Sequence, residues 1–191
     1  MAKTDIINNL IRHFGYKSYL EIGVQHKVTF NKVLCEKRIG VDPDRTMNAT
    51  YVMTSDQFFE QNKETFDLIF IDGLHEAAQT HRDISNALAA LNLNGTIVVH
   101  DCNPTHKNMQ KVPRMVKEWT GDVWKAWMYF RSTINYFKLN MFVIDIDYGV
   151  GIIRRGKQIL IDEPELTYEE LEKHRKVWLN LVRPDEYMEY L

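Results

Sequence analysis

Two carboxylates and two imidazoles stand at the ends of two short apolar runs. Asp72 follows the run at residues 66–71, and Asp101 follows the run at residues 96–99. His75 lies three residues beyond Asp72, and His100 directly precedes Asp101. Side chains of these types can hold a cation or carry a proton. The pattern therefore predicts a functional site, and the alternative is that Asp72 only caps the following helix while His100 is a hydrogen-bonded neighbour.

The segments that carry these residues indicate a strand, a helix and a second strand. Both runs are rich in Ile and Val, as in strands that are buried on both faces of a parallel sheet. Apolar residues recur at spacings of three and four from residue 84 to residue 91, and Asn94-Gly95 is the predicted helix stop. Because such crossovers are right-handed, Asp72 and Asp101 are expected at one sheet edge, where open α/β sheets bind ligands.

The preceding part of the chain alternates between helix and strand signals. A first helix capped by Thr4 or Asp5 and ended by Gly15 is followed by predicted strands at residues 19–23, 38–42 and 50–53. Further helices are predicted at residues 28–36, where Leu34 should face inward, and from residue 54 onward. The alternation predicts an α/β fold: a Rossmann-like, doubly wound sheet with five parallel strands.

The part after Asp101 has a different composition. It predicts a polar loop at residues 102–111, helices at 113–119 and 123–133, an antiparallel hairpin at 141–146 and 150–154, and a last helix at 168–182 capped by Thr167. The aromatic residues of the middle segment favour core or subunit contacts, which is compatible with a homo-oligomer. They are Trp119, Trp124, Trp127 and Phe130. We predict one domain, 1–191, with a core at 16–102 and substrate or oligomer elements at 103–191.

Composition excludes several classes of protein. A chain of 191 residues with a formal net charge of -2 lacks the basic footprint of a nucleic-acid-binding protein. Cys35 and Cys102 are the only cysteines, which fits a reducing compartment. No apolar run approaches the roughly 20 residues that a membrane span needs. We therefore expect a cytoplasmic protein without a membrane partner.

The first strand and its turn point to a particular kind of cofactor. Gly23 is the one glycine kept from the dinucleotide fingerprint, and the missing glycines disfavour a pyrophosphate. Asp42 ends the second strand about 20 residues later, where a carboxylate binds ribose hydroxyls, although it could also be a turn residue before Pro43. A ribose without a pyrophosphate suggests S-adenosylmethionine. The predicted contacts are Glu21 at the amino-acid end and Thr54, Ser55 and Asp56 near the adenine.

The segments YLEIG, IGVD, TSD, FDLIFIDGLH and GTIVVHD, in that order, resemble the class I S-adenosylmethionine-dependent methyltransferases. The D-G-x-H element before a helix and H-D is similar to the small-molecule O-methyltransferase and cephalosporin-hydroxylase-like group. The resemblance covers residues 19–101, and it implies methyl transfer to a hydroxyl of a small molecule such as a sugar or natural product. It also implies that Asp72 contacts the cofactor.

The resemblance further implies roles for the four residues at the sheet edge. Asp72 and Asp101 would bind a divalent cation, Mg²⁺ or Mn²⁺, and His75 would be the general base. His100 stands where these enzymes usually have a carboxylate, so it is a third metal ligand, a second base or a substrate contact. A cation on the acceptor oxygen lowers its pKa and fixes its position.

Two other functions remain open at this point. One is an NAD-type oxidoreductase on the same fold, against which the missing glycines argue. The other is a non-catalytic module that binds a nucleotide or S-adenosylmethionine and serves as the partner of another enzyme. Asp122, Lys125 and Arg131 are charged positions that would contact a polar substrate or lie on the surface.

Overall fold

The fold is seen in a computed structural model, which describes residues 1–132, 138–162 and 164–191. The helices are α1 (Lys3–Phe14), α2 (Ser55–Gln61), α3 (Ala77–Ala90), α4 (Val123–Ser132) and α5 (Tyr168–Trp178). The strands are β1 (Ser18–Ile22), β2 (Lys37–Val41), β3 (Phe66–Ile71), β4 (Leu91–Val99), β5 (Leu139–Ile144), β6 (Val150–Arg155) and β7 (Leu181–Val182).

One seven-stranded sheet with the order β2-β1-β3-β4-β6-β5-β7 organises the described chain. Strands β2, β1, β3 and β4 are parallel, whereas β6 runs antiparallel to both β4 and β5. This arrangement confirms the predicted Rossmann-like fold with an antiparallel hairpin. The predicted strand at residues 50–53 is wrong, since only Tyr51 pairs, in a single bridge with Val41. The ladder stops there because the Thr50 hydroxyl, and not a backbone carbonyl, accepts from the Gly40 N–H.

Apolar side chains fill both faces of the sheet. On one face, α1 buries Ile6, Ile7 and Leu10 among residues of the central strands such as Leu68 and Phe70. On the other face, α3 and α4 pack over a second cluster that contains Leu20, Ile69 and Ile97. A parallel sheet is stable only with both faces covered, so the long apolar runs of its strands are explained.

Helix α1 ends as expected but begins earlier. Gly15 is its C-cap, with the left-handed φ of 67° that favours glycine. The N-cap is Ala2, which replaces the predicted Thr4 or Asp5. Asp5 instead accepts a hydrogen bond from the Ala2 N–H at 2.8 Å, as the third helical residue in a capping box does.

The predicted helix at residues 28–36 is wrong. The structure has only a short 3₁₀ turn there, Phe30–Lys32, and Leu34 is 72% exposed where an inward position was expected. Positive φ angles at Gln25 and Lys27 break the helical path before it can start. The Asn8 side chain then holds the segment against α1 by accepting from the Leu34 N–H and donating to the Lys32 carbonyl.

The strand, helix and strand around Asp72 and Asp101 are confirmed. Strand β4, however, starts directly after α3, so Asn94-Gly95 lies inside the strand and is not a helix stop. A Cβ at Gly95 would lie 2.8 Å from the carbonyl oxygen of Asp67. The glycine is therefore needed for a close approach to β3, where the register shifts between Phe66 and Leu68.

The C-terminal part departs from prediction in two places. Residues 113–119 form turns where a helix was expected, and α5 stops at Trp178 because the chain turns into β7. Thr167 caps α5 as predicted. The predicted end of the second aromatic helix, Thr133, lies outside the described residues. Within the described residues, no helix is both long and apolar enough to cross a membrane.

Candidate active site

A cavity of about 690 Å³ runs along the carboxyl ends of the parallel strands. Asp42, Gly23, Asp72 and His100 follow β2, β1, β3 and β4, so the sheet order places them side by side in that sequence. The strand crossover thus brings Asp72 and Asp101 to one edge, as expected. A volume of this size suits a small-molecule ligand.

Gly23 forms the floor of the cavity between β1 and β3. Its φ is 84°, and its N–H donates to the Val41 carbonyl at 2.9 Å. A Cβ built there would lie 2.1 Å from the carbonyl oxygen of Asp72, which no side chain could tolerate. The single glycine left from the fingerprint is therefore required by the approach of these two strand ends.

Asp42 is held in a fixed orientation at the end of β2. One carboxylate oxygen accepts from the Gln25 N–H and the other from the Asp44 N–H, both at 2.9 Å. Each oxygen of a carboxylate has two acceptor sites, so one on each remains for a ligand. Asp42 thus stabilises the turn before Pro43 and also lines the cavity.

Residues 54–56 line the cavity beside Asp42 at the start of α2. The Thr54 hydroxyl accepts from the Gln57 N–H, which fixes the first turn of the helix. Gln79 of α3 donates to Ser55 at 3.1 Å, to Asp56 at 3.2 Å and to the buried Asp83 at 2.9 Å. The Gln79 side chain therefore joins the two helices at this end of the cavity.

Glu21 does not line the cavity, unlike the other predicted cofactor residues. It is 1% exposed and accepts a hydrogen bond from the Tyr19 hydroxyl at 2.5 Å. Burial and the nearby charge of Asp72 together raise the pKa of its carboxyl to about 8. Side chains two residues apart lie on the same face of a strand, so Glu21 shares the face of Tyr19, which packs in the core under α1.

Asp72 is the centre of the cluster at the end of β3. Its Oδ1 lies 3.1 Å from His100 Nδ1 and 3.5 Å from His75 Nε2, and its Oδ2 lies 2.9 Å from Lys3 Nζ. Burial alone would raise the pKa of Asp72, but the charge of His100 and these hydrogen bonds hold it well below its usual range. Asp72 is therefore an ionised, partly buried carboxylate that lines the cavity.

Asp101 stands opposite Asp72 at the end of β4. Its Oδ2 lies 3.1 Å from His75 Nδ1 and 3.2 Å from His100 Nδ1. Both imidazoles thus lie between the same two carboxylates. Burial would lower the pKa of His75 and of His100, but the carboxylates raise both above the ordinary value.

His75 is fixed from behind by the segment at residues 119–122. Its ring stacks on Trp119 with centroids 5.2 Å apart and an interplanar angle of 19°. The Asp122 N–H donates to the His75 carbonyl at 3.2 Å, and a Cβ at Gly121 would collide with that carbonyl. The Asp122 carboxylate accepts from the Ala77 N–H and so caps α3, not the helix that it precedes.

Three residues that the sequence did not single out complete the site: Lys3, Asp147 and Tyr148. Asp147 Oδ2 lies 3.4 Å from His100 Nε2, a buried atom without a hydrogen-bond partner among the described residues. Asp147 and Tyr148 both have positive φ in the turn between β5 and β6, with φ angles of 47° and 59°. Non-glycine residues in that region are uncommon, and two in succession are a signal that only the structure reveals.

Among the aromatic and charged residues of the middle segment, the structure separates two groups. Trp124 and Trp127 are core residues as predicted, whereas Trp119 lines the cavity. Arg131 is 5% exposed and donates to the carbonyls of Trp178 and Val177. Arg131 is therefore a buried structural residue that does not line the cavity.

One group of side chains in the described residues has the spacing of a metal site. One ligand atom from each of Asp72, His75 and Asp101 lies within 4.8 Å of the others. The two carboxylate oxygens suit Mg²⁺, and the imidazole nitrogen shifts the preference towards Mn²⁺ or Fe²⁺. The predicted set contained His100 in place of His75 and stays a prediction, with His100 Nδ1 directed between the same carboxylates.

Comparisons with known proteins agree with this geometry. Residues 36–102 match the family model described as a methyltransferase domain. No curated protein sequence matches the chain significantly. Several solved structures have the same fold as this chain, but their sequence identity to it is low, so they support the fold and nothing further.

Three of these structures illustrate the similarity. The O-methyltransferase from Bacillus cereus in complex with SAH is 13% identical, covers 82% of both chains and has a TM-score of 0.56. The SAH-bound Podospora anserina methyltransferase PaMTH1 is 15% identical over 82% of this chain and 80% of that one, at a TM-score of 0.60. The N-methyltransferase NodS from Bradyrhizobium japonicum WM9 is 15% identical over 82% and 95%, at 0.54.

The family model begins before β2 and ends just after Asp101, so it contains the strand ends on which most of the cavity is built. The structural similarity extends beyond it over four fifths of the chain. Both findings confirm the resemblance predicted from sequence. Residues 36–102 therefore match a methyltransferase domain, and the chain has the fold of these solved methyltransferases.

Proposed function

We propose that this protein transfers the methyl group of S-adenosylmethionine to a hydroxyl of a small molecule. The observation that carries the proposal is the continuity of the cavity. Its cofactor half, lined by Gly23, Asp42 and residues 54–56, opens directly into an acceptor half lined by His75, Asp101 and Tyr148. A donor and an acceptor can therefore meet above Asp72.

The residues of the cofactor half fit S-adenosylmethionine. Asp42 offers a free acceptor site on each oxygen to the ribose hydroxyls, and residues 54–56 border the space for the adenine. Gly23 leaves the floor open, and Asp72 stands where the amino-acid end would lie. When bound, the cofactor supplies an electrophilic methyl group on its sulfonium.

We assign His75, in its neutral form, the role of general base, and its raised pKa confines that form to higher pH. It lines the acceptor half, and Asp101, Asp72 and the Trp119 ring fix its orientation. A base must lie within hydrogen-bond reach of the hydroxyl that it deprotonates. An acceptor bound in this half would place its hydroxyl between His75 and the methyl group.

Asp72 and Asp101 are the proposed ligands of a divalent cation, Mg²⁺ or Mn²⁺, together with His100. Such an ion would lower the pKa of the acceptor hydroxyl and hold it in place. Its presence is tested separately from that of the cofactor, by chelation during turnover.

Calorimetry tests the cofactor first. We expect S-adenosylmethionine and S-adenosylhomocysteine to bind with micromolar affinity and NAD not to bind. Tight binding of NAD alone would contradict the proposal in favour of an oxidoreductase.

Methyl transfer from radiolabelled S-adenosylmethionine is then measured with a panel of sugars and phenols. We expect label in at least one hydroxyl product, and less of it after addition of EDTA. Cofactor binding without transfer to any acceptor would favour a non-catalytic binding module.

A further inference from the structure

Lys3 is a cation that the chain brings to the site from outside the sheet. It is the first residue of α1, and its Nζ lies 2.9 Å from Asp72 Oδ2 at the middle of the cavity. Its side chain is 21% exposed, with the ammonium 5.9 Å from the centre of the Phe70 ring. A lysine enclosed to this degree is seldom a surface residue that happens to lie nearby.

The ammonium of Lys3 retains a donor for a ligand. A lysine has three N–H donors. Asp72 accepts one of them, and His100 Nδ1 at 3.4 Å takes at most a second. The remaining N–H faces the cavity that Lys3 lines, next to the Asp72 carboxylate. A positive donor and a negative acceptor are therefore presented side by side.

This pair complements a zwitterion. A free α-amino acid group carries a carboxylate, which pairs with an ammonium, and an ammonium, which pairs with a carboxylate. Lys3 and Asp72 supply both partners at hydrogen-bond distance from each other. Charge-assisted hydrogen bonds of this kind are about twice as strong as neutral ones.

The position of the pair along the sheet fits the proposed cofactor. Asp42 and Asp72 follow strands β2 and β3, which are separated by β1. Two strand spacings correspond to about 10 Å. A ribose on Asp42, joined through sulfur to a three-carbon amino-acid chain, would place its zwitterionic end at Lys3 and Asp72.

We propose that Lys3 binds the α-carboxylate of S-adenosylmethionine while Asp72 binds its α-ammonium. The inference rests on the proposed function, and it assigns the first helix a direct part in cofactor binding. If Lys3 only neutralised the charge of Asp72, its loss would affect ligands with and without the amino-acid end alike. The proposed contact instead requires the amino-acid end of the ligand.

The test uses two ligands that share the adenosine and the sulfur and differ in the group beyond the sulfur. S-adenosylhomocysteine carries the amino-acid chain there, and 5′-methylthioadenosine carries a methyl group. Both are titrated by calorimetry into the wild type, Lys3→Met, which keeps the apolar stem, and Lys3→Arg, which keeps the charge. Arg12→Met, which removes an exposed cation from the same helix, is the matched control.

We expect Lys3→Met to weaken S-adenosylhomocysteine roughly 10- to 100-fold, as for the loss of a hydrogen bond to a charged group. The affinity for 5′-methylthioadenosine should stay within about two-fold of the wild type, as should both affinities of Arg12→Met. Lys3→Arg should recover part of the loss.

Unaltered affinity of Lys3→Met for S-adenosylhomocysteine would overturn the inference, and so would an equal loss for both ligands. In either case the proposed function would stand, since the wild type still binds. If the wild type binds neither ligand, the proposed function fails and the role of Lys3 fails with it.

Discussion

The cofactor half and the acceptor half of the cavity are assembled from different kinds of segment. In the cofactor half, Gly23, Asp42 and residues 54–56 come from the ends of neighbouring parallel strands and the helix start that follows. In the acceptor half, the β4 end and the His75 loop meet a segment at residues 119–122 and a turn between β5 and β6 that lie far away in sequence.

The two halves differ in how far the sheet constrains their residues. Each position in the cofactor half is tied to backbone that the sheet itself requires, as the approach of Gly23 to Asp72 shows. Trp119 and Tyr148 in the acceptor half stand on connecting segments, which can change without altering the strands. The same donor site can therefore be combined with different acceptors.

The largest effect is expected from His75→Ala. A positioned base contributes about 10²- to 10⁴-fold, so turnover should fall by that factor while the affinity for S-adenosylhomocysteine stays nearly unchanged. His13→Ala, at an exposed position of α1, is the control. Single-turnover methyl transfer measures the effect, and a loss of cofactor affinity equal to the loss of turnover would remove the distinction between the two halves.

Glu21→Gln should raise stability without a change in cofactor affinity. The pKa of Glu21 is about 8 in the folded protein and 4.5 when unfolded, so its contribution to stability is complete below pH 4.5 and is lost as the pH rises through 8. The neutral amide avoids this loss and should add about 3 kcal/mol at pH 7.

Denaturant unfolding from pH 5 to pH 8 measures this gain, which should grow with pH. The exposed Glu60→Gln variant should show no such gain. If Glu21→Gln instead weakens S-adenosylhomocysteine ten-fold, then Glu21 belongs to the cofactor half despite its burial.

Asp42→Ala should weaken S-adenosylhomocysteine by about 1.5 to 3 kcal/mol, the range for hydrogen bonds to a charged group. Asp44→Ala removes an exposed carboxylate two residues away and should leave the affinity unchanged. Calorimetry measures the affinity of the wild type and of both variants. Equal affinity in these three proteins would mean that Asp42 only stabilises the turn.

The smallest effect is expected from Tyr148→Phe. Loss of one hydroxyl in the acceptor half should change the KM for the acceptor roughly two- to ten-fold, as for a neutral hydrogen bond. The affinity for S-adenosylhomocysteine should not move, and Tyr190→Phe at the far end of the chain should change neither value. If Tyr148→Phe changed the cofactor affinity and not the KM for the acceptor, the turn between β5 and β6 would belong to the cofactor half.

The sequence predicted the parts of the molecule whose signals are local. The alternation of apolar runs located β3, α3 and β4, and the spacing of Asp72, His75, His100 and Asp101 located their meeting point, because a right-handed crossover leaves one arrangement. The helix start at Thr54 and the N-cap Thr167 were readable for the same reason.

The missed features depend on contacts between distant residues. Lys3 and Asp72 are 69 positions apart, and no pattern in the first helix indicates that its lysine reaches the site. The segment at residues 28–36 has the apolar spacing of a helix, but positive φ angles and the Asn8 side chain decide its path. Asp122 caps α3 from 45 positions away, which no local pattern indicates.

The hold of residues 119–122 on the His75 loop limits how the acceptor range could be altered by recombination. Stacking from Trp119, the close contact of Gly121 and the two hydrogen bonds of Asp122 all act on residues 75–77. A loop graft from a relative that replaced residues 103–122 as one block would also displace the base. Breakpoints placed at residues 112 and 118 would exchange the part of the rim that holds Lys117 and Glu118. They would keep the Met109 carbonyl, which accepts from the Thr120 and Gly121 N–H groups, and with it the position of the imidazole.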